Sequence, residues 1–300
     1  MREFYLAPRG SHREVLYLVE NWDYFLQLQK LLDLPKPGLL LVPTQLETAK
    51  TISGFDIPLA MDNGAFQLLK ADFDSRLYLT QDVVRNWLRK WLESALAVDW
   101  EWIALLDVPV HGRRFVEKEE RLRRIELTTE LHKMAFSAYE RESGETDRLR
   151  AVLQGFEVDE YLLSYQLHKA AIPFDRINPV IAVGSVCVRK DSSLTKLADG
   201  KARGTADELA ELLNRMDKPL HFFGLHGRFV RKLKDHPRFH SADSGAAGAV
   251  FRWEIRDIKR RLGLDWNDRL RDYLLAHLVQ YVRSTVGLKK DKWEAIRSVF

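Results

Sequence analysis

Short apolar runs rich in Val, Ile, Leu or Phe recur along the chain, and most are followed by a segment of helical periodicity. The runs are Phe4–Ala7, Leu39–Val42, Ile57–Met61, Trp102–Val108, Ala151–Leu153, Val180–Val186, Leu220–Leu225 and Phe239–Ala242. Between them, Asp82–Leu96, Val116–Glu142, Asp159–Ala170, Ala206–Met216 and Phe229–Lys234 read as helices. The link between the second and third runs holds only a turn of helix, around Leu46–Ile52. Continuous apolar strands alternating with amphipathic helices predict a parallel sheet covered on both faces. Eight such units in roughly 250 residues match the count and size of an α/β fold of the (β/α)₈ TIM-type barrel class. An open doubly wound sheet is the alternative; the Gly-rich dinucleotide fingerprint it often carries is missing. Residues 1–250 are thus expected to form the barrel. Residues 251–300, with helices at Glu254–Leu262, Trp266–Val286 and Asp291–Val299, are expected as basic C-terminal helices packed on or closing it.

Composition adds three constraints. No run of eighteen apolar residues exists, and Met1 to Gly10 lacks a signal pattern, so no membrane partner is expected and the cytoplasm is the default compartment. The single cysteine, Cys187, excludes an intramolecular disulfide and a Cys-rich zinc site. Charge is uneven: Phe251–Phe300 holds twelve Lys or Arg against seven Asp or Glu, and Arg228–Arg238 five bases against one acid. A basic C-terminal third on a mildly acidic body suits a polyanion; a solvated helix face explains the charge equally well.

In such barrels the active site lies where the strands end. The third run ends Met61-Asp62-Asn63-Gly64-Ala65-Phe66, the fourth Leu106-Asp107, and the fifth Leu153-Gln154-Gly155. The sixth passes Gly184-Ser185, the seventh Phe223-Gly224, and the eighth ends Ala242-Asp243-Ser244. An Asp at a strand end is usually a turn-former or helix cap, but four polar ends converging on one mouth need four coincidences. Two aspartates near one carbon equip a site for glycosyl transfer, one attacking the anomeric carbon while the other manages protons. A third Asp and a Gln can bind a planar, amide-edged base such as guanine. Phe66 and Phe223 stand where rings could cover its faces, core packing being the alternative for both.

These ends resemble motifs of the tRNA-guanine transglycosylase superfamily. Asp62-Asn63-Gly64-Ala65-Phe66-Gln67 is similar to its Asp-Ser-Gly-Gly-Phe/Tyr-Gln motif, and Val152-Leu153-Gln154-Gly155 to its Val-Gln-Gly segment. Ile181-Ala182-Val183-Gly184-Ser185 is similar to Ala-Val-Gly-Gly, Phe222-Phe223-Gly224 to Leu-Met-Gly, and Asp243-Ser244 to the sugar-carrying Asp. The ordered set spans about Ile57 to Gly248. The resemblance implies Asp243 as nucleophile on C1′ and Asp62 as general acid/base. It implies Asn63, Asp107, Gln154, Gly155, Gly184, Ser185 and Gly224 around the base, with Phe66 and Phe223 on its faces. It also implies base exchange without a cofactor. The three-Cys, one-His zinc site of the tRNA enzymes is absent in recognisable form, and Asn63, Ala65 and Ser185 depart from their motifs. A shortened, zinc-less chain looks like the DNA-directed (DpdA-like) branch, which puts 7-deazaguanines such as 7-cyano-7-deazaguanine into phage or bacterial DNA. The implied partners are DNA (alternatively tRNA) and a free 7-deazaguanine base. Arg228, Arg231, Lys232 and Lys234 are placed to hold phosphates. The sequence is compatible with a homodimer or an accessory protein and indicates neither.

Other residues carry plainer readings. His221, His226, His236 and His240 lack metal-motif spacing and are expected at the surface or behind the site. Cys187 reads as a buried small hydrophobe, Trp87, Trp91, Trp100 and Trp102 as core, and Lys118–Arg124 as a solvated mixed-charge face. The rival functions are a barrel N-glycosidase or other hydrolase, and a nucleic-acid-binding barrel without catalysis.

Overall fold

The computed structural model of the chain describes residues 1–65, 79–110, 117–186, 195–196, 202–203, 205–244 and 246–300. All eight apolar runs are strands and all pair in parallel: Glu3–Leu6, Lys36–Leu41, Leu59–Met61, Trp102–Ala104, Leu149–Arg150 with Val152–Leu153, Ile181–Val183, Leu220–Phe222 and Phe239–Ser244. The fifth strand is interrupted at Ala151. Its first half pairs with the fourth strand and its second half with the sixth. The last strand pairs with the first, Asp243 lying opposite Tyr5, so the sheet closes on itself. The protein is a TIM-type barrel. A two-stranded ribbon, Thr195–Lys196 with Ala202–Arg203, follows the sixth strand.

Strand alternation splits the apolar residues into two sets. Tyr5, Leu40, Ala60, Trp102, Ala104, Val152 and Ala182 cluster inside the barrel. Their outward neighbours, among them Phe4, Leu39, Ile103 and Leu153, join the helices in a much larger core. The base of the lumen is polar. The Tyr5 hydroxyl donates to Glu101 (2.8 Å) and Glu3 (3.1 Å), and the buried Arg150 guanidinium sits 4.1 Å over the Trp102 ring. Above them, the His221 ring packs on Trp102 at 4.8 Å and on Tyr5 at 5.9 Å. The lumen is a packed core, and the mouth is a shallow floor above it.

The first crossover holds two helices that the periodicity did not suggest, His12–Glu20 and Asp23–Leu32. A capping box starts the first: Glu14 N–H donates to Ser11 Oγ at 3.3 Å, and Ser11 N–H donates to the Glu14 carboxylate at 2.7 Å. That Ser-x-x-Glu signal was legible in the sequence. Arg269–Thr285 is buried along nearly its whole length, packed on the first strand, on His12–Glu20 and on Gly227–Leu233. It therefore stands in the helical ring where the barrel closes. No helix among the described residues is long and apolar enough to cross a membrane.

The expectation of a solvated face at Lys118–Arg124 holds for Lys118 and Glu119, which are exposed, and fails for two arginines. In the helix Lys118–Ser143, Arg121 and Arg124 are buried. Arg121 makes a bidentate pair with Glu160 (2.7 and 3.1 Å) from the helix Val158–Ala171, and Arg124 pairs with Glu120 (2.8 Å) and donates to Pro109 O (3.1 Å). The charge pattern is that of a surface helix, but each guanidinium here has a carboxylate, and Arg124 also has the loop after the fourth strand.

Between the same two helices, the His132 and His168 rings pack tilted at 50° with centroids 4.2 Å apart, and both His168 nitrogens lack a hydrogen-bond partner. Burial holds the His168 imidazole down to a pKa of about 3. The unfolded chain takes up a proton near pH 6.5 that folded His168 refuses, so stability declines as pH falls from 6.5 towards 3. Substituting His168→Leu should stabilise the protein by about 1 kcal/mol at neutral pH and flatten the loss of Tm between pH 6.5 and 4, read by thermal melts.

Candidate active site

Six of the strand-end polar groups meet at one mouth. Asp107 is buried at its centre, where the Asn63 Nδ2 and Gln154 Nε2 amides each donate to one of its carboxylate oxygens. Asn63 Nδ2 also donates to Leu105 O at 2.8 Å, and its Oδ1 accepts from Ala65 N–H at 2.9 Å. Ser185 Oγ donates to Gln154 Oε1 at 2.6 Å and accepts from Val110 N–H at 3.1 Å. Asp107, Asn63, Gln154 and Ser185 therefore form one connected plate, each group orienting the next.

The backbone is bent to fit this plate. Ser185 takes φ +58°, the left-handed region that a side chain rarely adopts, and its two hydrogen bonds hold it there. Gly184 lies against the Gln154 amide, where a methyl group would overlap it, and Gly155 is closed in by Tyr161. The Tyr161 hydroxyl donates to Gly184 O at 2.9 Å. On the outer side, Trp87 Nε1 donates to Asn63 O (3.2 Å), and Thr128 Oγ1 accepts from Val108 N–H (2.9 Å). Trp87, expected as core, thus also pins a site loop, and Trp102 fills the lumen beneath.

Asp62 and Asp243 stand beside the plate. Gly224, at φ +62°, turns its N–H towards Asp243 Oδ1 (2.8 Å), and Gly64 N–H donates to Asp62 Oδ1 (3.3 Å). Burial, reinforced by the Asp243 charge, raises the Asp62 pKa to about 6 against the pull of the Gly64 and Asn63 N–H groups and of Arg9. Burial raises Asp243 to about 7, opposed by Gly224 N–H and Arg9. Asp107 is also raised to about 7 by burial, the Asn63 and Gln154 amides opposing it and the Asp62 charge adding to it. Three carboxyl groups therefore titrate close to neutrality in one site, which is where acid/base chemistry operates.

Two further side chains belong to the site, and of these only Arg9 was not singled out in the sequence. Arg9, exposed in the loop after the first strand, is a cation whose charge favours the ionised form of both Asp62 and Asp243. The signal was available, since Ala7-Pro8-Arg9-Gly10 ends a strand like the others. His221, expected at the surface or behind the site, is fully buried below Asp243. Its Nδ1 is 2.9 Å from Ser241 Oγ and its Nε2 3.5 Å from Asp243 Oδ1. Burial, with the Arg150 charge, drives its pKa well below the usual value, so it supports Asp243 as a neutral ring.

Phe223 is half-buried at the mouth, 5.0 Å from the His221 ring. Phe66 and Cys187 lie outside the described residues. The four expected phosphate contacts separate. Arg228 is on the first turn of the helix Gly227–Leu233, Lys232 is exposed, and Arg231 donates to Arg283 O, capping a neighbouring helix. Lys234 lines a cavity of about 560 Å³ with Met1, Arg2 and His240 at the opposite end of the barrel, away from the aspartates. His226 caps that helix while His236 and His240 sit at the far end. Among the described residues no three His, Cys, Asp or Glu side chains are grouped to hold a metal.

The fold and site define a barrel with a buried, hydrogen-bonded carboxylate plate and a coupled aspartate pair at its C-terminal mouth. No protein-family model and no curated protein matches the chain.

Two outcomes follow from this geometry. Gly184→Ala should displace Gln154, loosen the plate and cost about 1–3 kcal/mol, measured by denaturant unfolding. Asp243→Asn should raise stability at pH 7.5. Above its unfolded pKa near 3.8 the unfolded chain releases a proton that folded Asp243 keeps until about pH 7, so stability falls as pH rises through that window. Removing the charge should recover about 2–4 kcal/mol, visible as a raised Tm at pH 7.5 and a smaller gain at pH 4.5.

Proposed function

We propose that the protein is a guanine transglycosylase that exchanges a guanine in DNA for a 7-deazaguanine through a covalent aspartyl-sugar intermediate. The observation that carries this reading is the placement of the coupled pair Asp62 and Asp243 beside the Asn63–Asp107–Gln154–Ser185 plate. A plate of one carboxylate and two amides matches the donor-rich edge of guanine, whose N1–H and amino group both seek acceptors. Two neighbouring carboxyl groups, Asp243 buried and Asp62 half-buried, suit displacement at an anomeric carbon.

In the first half-reaction the Asp243 carboxylate forms a bond to C1′ as the bond from C1′ to N9 breaks. The electron pair leaves with guanine, and Asp62, raised to about 6, delivers the proton that guanine takes up. Positive charge developing on the sugar favours ionised Asp243, and Gly224 N–H holds that carboxylate in place. In the second half-reaction the incoming base gives its N9 proton to Asp62, bonds to C1′ and releases Asp243. Bases change places and nothing is oxidised. Reaching C1′ requires a flipped nucleotide or a single strand. The single cysteine leaves no set of three thiolates for the zinc that tRNA-acting relatives hold.

The test is incorporation of labelled guanine into duplex DNA, single-stranded DNA or unmodified tRNA. Label in DNA is the expected result. Label in tRNA alone would keep the chemistry and change the substrate. Release of guanine without incorporation would make the protein a hydrolase. Asp243→Ala should lower exchange by at least about 10³-fold and abolish the denaturation-resistant adduct. The acid limb of the exchange rate should fall as pH drops below about 7, where Asp243 takes up its proton.

A further inference from the structure

Tryptophan is usually well covered in folded proteins. Of the chain's eight, Trp22, Trp87, Trp91, Trp100 and Trp102 are buried. Trp266 and Trp293 are half-buried, with Arg271 and Arg261 at 4.5 and 4.6 Å over their rings. Trp253 is 79% exposed, and among the described residues it has no ring or cation partner. It belongs to the π-helical turn Val250–Glu254, which follows the strand carrying Asp243 after one short helical turn, Ala247–Ala249. Such turns are rare overall and are frequent at functional sites. Trp253 stands ten positions along the chain from Asp243, with six helical residues between them, so the two lie at most about 22 Å apart.

The charge around this indole is cationic. The acids of the segment are engaged elsewhere, Glu254 with Arg283 (2.5 Å) and Asp257 with Arg260 (3.1 Å). Arg252 and Arg256 are exposed and, among the described residues, have no acidic partner. Packing also brings Arg9 to the same sector of the rim. Gly10 abuts the Tyr273 hydroxyl, the Tyr273 ring packs on Phe251 at 5.8 Å, and Phe251 lies under Arg269 at 5.1 Å. A bare aromatic face flanked by unpaired arginines fits the two repeating features of a single-stranded nucleic acid, a base face and a phosphate.

We propose that Trp253, flanked by Arg252, Arg256 and Arg9, forms a track that holds single-stranded nucleic acid at the barrel mouth. The indole stacks on a base a few nucleotides from the one at Asp243, and the arginines face phosphates. Of the basic cluster expected at Arg228–Lys234, Arg231 caps a neighbouring helix and Lys234 lies at the opposite end of the barrel. The inference rests on the proposed function only in taking nucleic acid as the partner, and its test needs no base exchange.

The measurement is fluorescence anisotropy of a short labelled oligodeoxynucleotide, single-stranded or duplex, and of single-stranded RNA of the same sequence. Trp253→Ala should weaken single-strand binding by about fivefold or more with an unchanged Tm, while Trp253→Phe retains most of the affinity. Arg252→Ala and Arg9→Ala should each reduce the salt dependence by about one unit of slope. Moving one abasic position along the strand should reveal a site that matters to the wild-type protein and not to Trp253→Ala. The tighter of DNA and RNA identifies the source of the strand, and either supports the track. Wild-type affinity in Trp253→Ala, or no binding by the wild-type protein, overturns it. Trp253-dependent binding without guanine exchange would keep the track and sink the proposed function.

Discussion

A closed eight-stranded sheet encloses a lumen that must be filled to interior density, and here Tyr5, Trp102 and His221 fill it with rings. That filling lifts the mouth into a shallow floor and makes the strand-end polar groups share a space from which water is largely excluded. Polar groups in such a place must find partners or lose their charge. The Asn63 and Gln154 amides on Asp107 are one solution, and the raised pKa values of Asp62 and Asp243 are the other.

The same constraint accounts for elements that look remote from the site. Buried Arg124 holds Pro109 O, Thr128 holds Val108 N–H, and Trp87 holds Asn63 O, so two helices of the outer ring fix the loops that present Asp107 and Asn63. Arg121 with Glu160 locks the helix of Thr128 to the helix whose Tyr161 supports Gly184. A buried ion pair adds little stability against an apolar replacement, but losing one partner is costly. The arrangement is consistent with selection for position rather than for stability, as are the destabilising carboxylates themselves.

The barrel also separates its two ends by function. The strand starts carry Glu3, Glu101, Arg150 and His240, a polar plug in which the Tyr5 hydroxyl lies between the two glutamates and His240 sits 3.7 Å from Glu3. The strand ends carry the plate and the aspartate pair, under the partial influence of one exposed cation, Arg9. Helices that run between the ends carry charge away from the mouth as well as towards it, which is why a basic stretch continuous in sequence is not continuous in space.

The eight apolar runs and the residue types ending them were legible because parallel strands buried on both faces must be apolar throughout, whereas their ends must not. Asp62, Asp107, Gln154 and Asp243 could therefore be read off as strand ends. The first crossover was missed although Ser11 and Glu14 signal its start, since a capping box is a local signal and apolar spacing was the guide. Other facts were beyond any local reading. Arg121 and Arg124 look like surface charges until Glu160 and Pro109 O are brought to them. Lys234 looks like a neighbour of Asp243 until the helix before it has crossed the barrel. His221 acquires its relation to Asp243 only when the seventh strand pairs with the eighth, and Arg9 only when the last strand pairs with the first. Local sequence sets which segments become strands and helices through hydrophobic period and burial. Which charges meet is decided by closure of the sheet, because electrostatic partners are chosen by distance in space and not along the chain.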